Sequence, residues 1–107
     1  MLNTPLRVNI TQTEIESFCN RYGIRKLSLF GSILHADFSS NSDVDLLVEY
    51  FPEQRVTFLD MVQQETELTM LIGRKVDLRT PIELSRHFRK AVLAEAQVIY
   101  DAALLPA

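Results

Sequence analysis

Asp43 and Asp45 stand two apart in the run Asp43-Val44-Asp45-Leu46-Leu47-Val48. In an extended chain, residues two apart point to the same face. The two acids open a run that is otherwise apolar. A third carboxylate, Asp77, sits between Val76 and Leu78 in another short apolar stretch. Carboxylates in such places are costly unless they are paired or bound to a cation. If the two stretches are neighbouring strands, the three acids converge. Three oxygen donors with no His or Cys beside them favour a hard cation, Mg²⁺ above all. Asp43, Asp45 and Asp77 are therefore the candidate metal ligands and catalytic residues.

Gly31-Ser32 ends the alternating stretch Leu27-Ser28-Leu29-Phe30. Glycine lets a backbone approach a ligand closely. Ser32 adds a hydroxyl and a backbone N–H at the start of what reads as a short helix, where phosphate is favoured. Gly31 and Ser32 are the candidate phosphate-binding pair. A phosphate cradle beside carboxylates that hold two metal ions is the equipment for phosphoryl or nucleotidyl transfer. In that chemistry Asp43 and Asp45 hold metal, and Asp77 holds the catalytic ion and takes the nucleophile's proton. Each half of the pattern is weak alone. Asp-x-Asp is more often a turn or strand cap, and Gly-Ser after a strand is usually a turn. The ten residues between Ser32 and Asp43, with apolar strands flanking both motifs, make the combination much stronger.

The elements that must position these residues can be read from spacing. Thr11-Gln12-Thr13-Glu14 has the form of a capping box, and Ile15, Phe18, Cys19 and Tyr22 follow at helical spacing before Gly23. This predicts a helix over 12–22. Residues 27–30 read as a strand and 37–42 as a polar turn. Residues 44–48, apolar at nearly every position, read as a central strand buried on both faces. A second capping pattern at Thr57 and Asp60 starts a helix that Gly73 closes, and 75–79 is a short strand. Thr80-Pro81-Ile82-Glu83 has a cap, a proline at the first helical position and an acid at the third, which predicts a helix from there to about 95. Val98-Ile99-Tyr100 fits either a last edge strand or more of that helix. The order implies an α+β or α/β domain with a small mixed sheet flanked by helices.

The 107 residues leave room for one domain, 1–107, with one modest core. Hydrophobic residues are 47% and charged residues 23%, as in ordinary globular chains. With 11 basic and 14 acidic residues the net charge is −3, which argues against broad nucleic-acid binding. One cysteine, Cys19, excludes an internal disulfide and suits a reducing cytosol; its place on the apolar helix face makes it a core residue. Residues 1–10 do not read as a signal peptide, and no apolar run approaches the roughly 20 residues of a membrane helix. A cytoplasmic location is expected. Phe51, Phe58, Met61 and Met70 read as core, with any exposed members available to a protein partner. Tyr22, Tyr50 and Tyr100 read as packing residues. His35 reads as a surface residue of the turn, and His87 as part of a solvated basic helix face.

Leu27-Ser28-Leu29-Phe30-Gly31-Ser32 followed by Ser42-Asp43-Val44-Asp45-Leu46-Leu47-Val48 resembles the minimal nucleotidyltransferase (MNT) branch of the DNA-polymerase-β-like nucleotidyltransferases. The likeness continues through Lys75-Val76-Asp77-Leu78 and Glu95-Ala96-Gln97-Val98-Ile99-Tyr100, covering about residues 24–101. The short chain is most similar to the stand-alone antitoxins of type VII-like HEPN/MNT toxin–antitoxin pairs. The resemblance implies an enzyme that uses ATP and Mg²⁺ to transfer AMP to a tyrosine of a cognate HEPN RNase toxin, and that also binds the toxin. It implies triphosphate contacts at Gly31 and Ser32, metal at Asp43, Asp45 and Asp77, and a strand at 97–100. There is one departure. The family commonly places two arginines and a glycine after Gly-Ser, where this chain has Ile33-Leu34-His35-Ala36-Asp37. Arg74, Lys75 and Arg79 flank Asp77 and are alternative triphosphate contacts. The departure motivates a rival reading, a catalytically weak module that neutralises the toxin by binding. A third reading, nucleotide transfer to a small molecule, leaves little chain for a substrate pocket.

Overall fold

A computed structural model of the protein describes residues 8–35 and 42–104. The polar turn expected over 37–42 lies outside the described residues except for Ser42. Three α-helices, α1 (Gln12–Tyr22), α2 (Phe58–Ile72) and α3 (Arg86–Glu95), accompany four strands, β1 (Ile24–Phe30), β2 (Val44–Tyr50), β3 (Val76–Arg79) and β4 (Gln97–Asp101). The strands form one mixed sheet in the order β3-β2-β1-β4. β1 pairs antiparallel with β2 and β4, and β2 pairs parallel with β3. The α+β expectation holds, and 97–101 is the edge strand rather than more helix.

Alternation sorts the sheet into two faces. Val44, Leu46 and Val48 share one face with Leu27 and Leu29 of β1 and with Val76 and Leu78 of β3, and all are buried. Ile15, Phe18 and Cys19 of α1 and Leu68 and Ile72 of α2 join them in one core. Burial pushes the Cys19 thiol up to about 12, so it stays protonated and inert at neutral pH. The opposite face carries Asp45, Leu47 and Asp77. Leu47 is buried there too, so β2 is apolar on both sides except at its acids.

The two capping boxes, Thr11 with Glu14 and Thr57 with Asp60, form as expected. The third behaves differently. Thr80 and Glu83 make the reciprocal bonds, but they start only a single 3₁₀ turn, Pro81–Glu83. Leu84 is extended, and α3 begins at Arg86 with Ser85 as its N-cap. The reason is Arg89, whose guanidinium donates to the carbonyls of Pro81, Ile82 and Leu84. Those acceptors are thus satisfied outside a continuous helix. α3 buries no residue, so it flanks the sheet without covering it.

β3 is an edge strand, and α2 seals its outer side. The Val76 N–H donates to Thr69 Oγ1 (3.1 Å) and the Leu78 N–H to Glu65 Oε2 (2.7 Å). Four helical residues rise about 6 Å, and two strand residues span about 6.6 Å. A helix running against the strand can therefore serve alternate edge N–H groups from positions four apart. Thr69→Val removes one acceptor and nearly preserves shape. We expect a loss of about 1–2 kcal/mol, measured as a lower urea midpoint with an unchanged slope.

Candidate active site

The parallel register sets Asp45 of β2 directly beside Asp77 of β3. Being partners in register, they project from the same face. Asp43 lies one residue before β2 rather than within it, because the ladder starts where the Val44 N–H donates to the Lys75 carbonyl (2.8 Å). Gly31 closes the other side. It begins a 3₁₀ turn, Gly31–Leu34, at φ +78°, and a Cβ on it would collide with Asp45 Oδ2. A side chain at position 31 would be both strained and in the carboxylate's place. Ser32 follows in that turn, half-buried.

The electrostatics mark this corner as short of positive charge. The Asp45 carboxyl is held above its ordinary value, first by burial and then by the nearby charges of Asp77 and Asp43. Arg79 and Lys75 oppose that shift. Lys75 Nζ lies 3.5 Å from Asp43 Oδ2, and an Arg79 amino group donates to Asp77 Oδ2 at 3.2 Å. Among the described residues no three acid, His or Cys side chains are posed as a ready-made metal cage. The hard-oxygen donor set, the mutual repulsion at Asp45 and the space kept by the missing Cβ of Gly31 nonetheless fit a bound Mg²⁺. Asp43, Asp45 and Asp77 are the residues that would hold it.

The flanking cations divide. Lys75 and Arg79 face the acids, whereas Arg74 donates to the Ser42 carbonyl (3.2 Å) and supports the chain entering β2. At the positions after Gly31-Ser32, Ile33 is a core residue and His35 lies 3.8 Å from Glu95. His35 is at the surface, and so is His87. The hydroxyls of Tyr22, Tyr50 and Tyr100 bond to Glu67, Gln64 and Asn20, in keeping with packing.

Two expected core residues are not core. Phe58 is 80% exposed and Met70 79%, while Phe51 and Met61 are half-buried. Phe58 lies beside Asp77, in a cleft of about 220 Å³. Met70 lies two positions from both Leu68 and Ile72, on the outward side of α2; for Phe58 the cause is length. α2 is about 22 Å long and β3 about 13 Å, so the first turn of α2 overhangs the end of the strand. Helical periodicity reports a face; comparing the two lengths would have pointed to the overhang.

Asp45→Asn should separate stability from ligand binding. Because folding raises this carboxyl's pKa, its contribution to stability is present at acid pH and is lost as pH rises through the raised value. The variant should therefore melt higher than the parent at pH 7 without divalent metal, and should lose that advantage at acid pH. It should also fail to gain stability from Mg²⁺ and ATP, as read by thermal shift. Gly31→Ala should cost about 1–2 kcal/mol for the left-handed backbone and abolish the same ligand-induced shift.

Comparisons with known proteins bear on the family and the fold. The family model described as "Polymerase beta, Nucleotidyltransferase" matches residues 13–103. The protein adenylyltransferase MntA of Thermococcus cleftensis is 33% identical over 99 residues, spanning 85% of this chain and 96% of that protein. A solved structure of a candidate minimal nucleotidyltransferase is 32% identical with a TM-score of 0.65, over 79% of this chain and 85% of that one. A toxin–antitoxin crystal structure with AMP-PNP shares the fold at a TM-score of 0.69 and 17% identity, over 86% and 74% of the two chains. So does the MNT antitoxin complex with the tri-AMPylated HEPN toxin of Shewanella oneidensis, at 0.61 and 15%, over 84% and 69%. With most of its length matched by the family model, the chain belongs to the polymerase beta nucleotidyltransferase family and is a nucleotidyltransferase.

Proposed function

We propose that the protein is the antitoxin of a HEPN/MNT pair, a Mg²⁺-dependent protein adenylyltransferase that moves AMP from ATP to a tyrosine of its HEPN RNase toxin. Residues 1–107 are read as one minimal nucleotidyltransferase domain working in the cytoplasm. The observation that carries the reading is the register of Asp45 with Asp77, with Gly31 set against Asp45. The adenylyltransferase relative and the AMPylated toxin in a structural neighbour point to the same chemistry.

In this reading Gly31 and Ser32 receive the triphosphate, and Asp43, Asp45 and Asp77 hold Mg²⁺. Metal held there would supply positive charge to the phosphates and lower the pKa of the acceptor hydroxyl. The tyrosine oxygen bonds to the α-phosphorus while the α-phosphorus bond to the bridging oxygen breaks. Pyrophosphate leaves with that electron pair, and the phenolic proton passes to Asp77. Lys75 and Arg79, which pair with Asp43 and Asp77, would be available to the phosphates if those carboxylates held metal.

A second reading keeps the fold and neutralises the toxin by binding alone. It is favoured by Ile33 being buried in the core and by His35 being paired with Glu95, so these positions bring no fixed charge to the phosphates. Incubation with ATP, Mg²⁺ and a cognate HEPN toxin separates the two. Adenylylation predicts a mass gain of whole adenylate groups on a toxin tyrosine, lost in the Asp43→Ala, Asp45→Ala double variant. An unmodified toxin that is still silenced by complex formation would establish the binding module instead.

A further inference from the structure

The cleft beside Asp77 has a composition unlike the rest of the site. Its wall on α2 is apolar, made by Phe58, Met61 and Val62. Its floor is the end of β3, with Asp77 and Arg79, and its far side is Glu83 of the 3₁₀ turn. Phe58 and Val62 are exposed, as are Leu59 on the next position of α2 and Ile82 beside Glu83. An apolar wall ending at a carboxylate suits a group with an aromatic body and a polar tip. The charge of the lining is one-sided. Even with Asp77 given to the metal, Glu65 and Glu83 face a single cation, Arg79. Glu65 and Glu83 are fixed there by structure, since Glu65 bonds the Leu78 N–H and Glu83 caps Thr80. An acidic rim of this kind attracts a basic segment and repels an acidic one.

We infer that this cleft is the acceptor subsite: it takes the tyrosine of a protein segment flanked by lysine or arginine, with Phe58 and Val62 packing the ring and Asp77 meeting the hydroxyl. The inference rests on the adenylyltransferase reading for what happens to the tyrosine, but not for whether it binds. In the transfer, the phenol loses its proton to Asp77 and gains the adenylate as pyrophosphate departs. Phe58 and Val62 are specificity residues. They touch the acceptor and leave the nucleotide side of the site alone.

The test uses a short fluorescent peptide with one tyrosine between lysines, its counterpart with glutamates, and the full-length chain. Phe58→Ala should weaken binding of the lysine peptide about tenfold, and Met70→Ala, exposed on the same helix outside the cleft, should not. The lysine peptide should outbind the glutamate peptide, with the gap narrowing as salt rises. In turnover, Phe58→Ala should raise KM for the acceptor while leaving kcat and the affinity for ATP nearly unchanged. Equal binding of the lysine peptide by Phe58→Ala and the parent, or an unmoved acceptor KM, overturns the subsite. Phe58-dependent peptide binding by the parent, together with an unmodified HEPN toxin, overturns adenylylation and keeps the subsite.

Discussion

In a parallel ladder, residues paired in register share a face, and β2 and β3 are paired so that Asp45 stands beside Asp77. The register itself is set by the other face. Val44 and Leu46 of β2 and Val76 and Leu78 of β3 are buried together against α1 and α2. A slip of one residue would turn those side chains out and the acids in. The hydrophobic effect on one face thus places the carboxylates on the other. Burial raises the Asp45 carboxyl, and the like charges of Asp77 and Asp43 held beside it raise it further.

Such a corner lowers the stability of the ligand-free chain, and two cations offset part of the loss. Lys75 pairs with Asp43 and Arg79 with Asp77. Both pairs are solvent-exposed, so each contributes little to folding. They are therefore easily exchanged for a stronger counter-charge. Gly31 completes the arrangement from the β1 side by giving up its side-chain volume to Asp45.

α2 does two jobs with its two ends. Its middle and C-terminal half complete the core through Leu68 and Ile72 and bond the outer N–H groups of β3 through Glu65 and Thr69. Sealing an edge in this way also removes a template for strand addition by other chains. Its first turn outruns the short strand, which leaves Phe58 facing solvent at the margin of the site, with Val62 one turn further on also exposed. The segment after β3 is shaped by a single side chain. Arg89 collects the carbonyls of Pro81, Ile82 and Leu84 and holds the turn that carries Glu83.

The sequence by itself determined the elements whose signals are local. Capping at Thr11 and Thr57, the glycines that end α1 and α2, and the alternation in β1 and β2 each depend on neighbours within a few residues. The candidate acids and Gly31-Ser32 were legible for a related reason: charge is costly inside an apolar strand, and that conflict is visible without coordinates. Tertiary structure decided the rest. Only strand order could make Asp77 the neighbour of Asp45, because pairing partners are distant in the chain. The capping box at Thr80 promised a long helix, and a guanidinium nine residues further on ended it after one turn. Phe58 looked like core because periodicity registers which face a residue occupies. Whether anything lies beneath that face depends on the length of the strand it crosses.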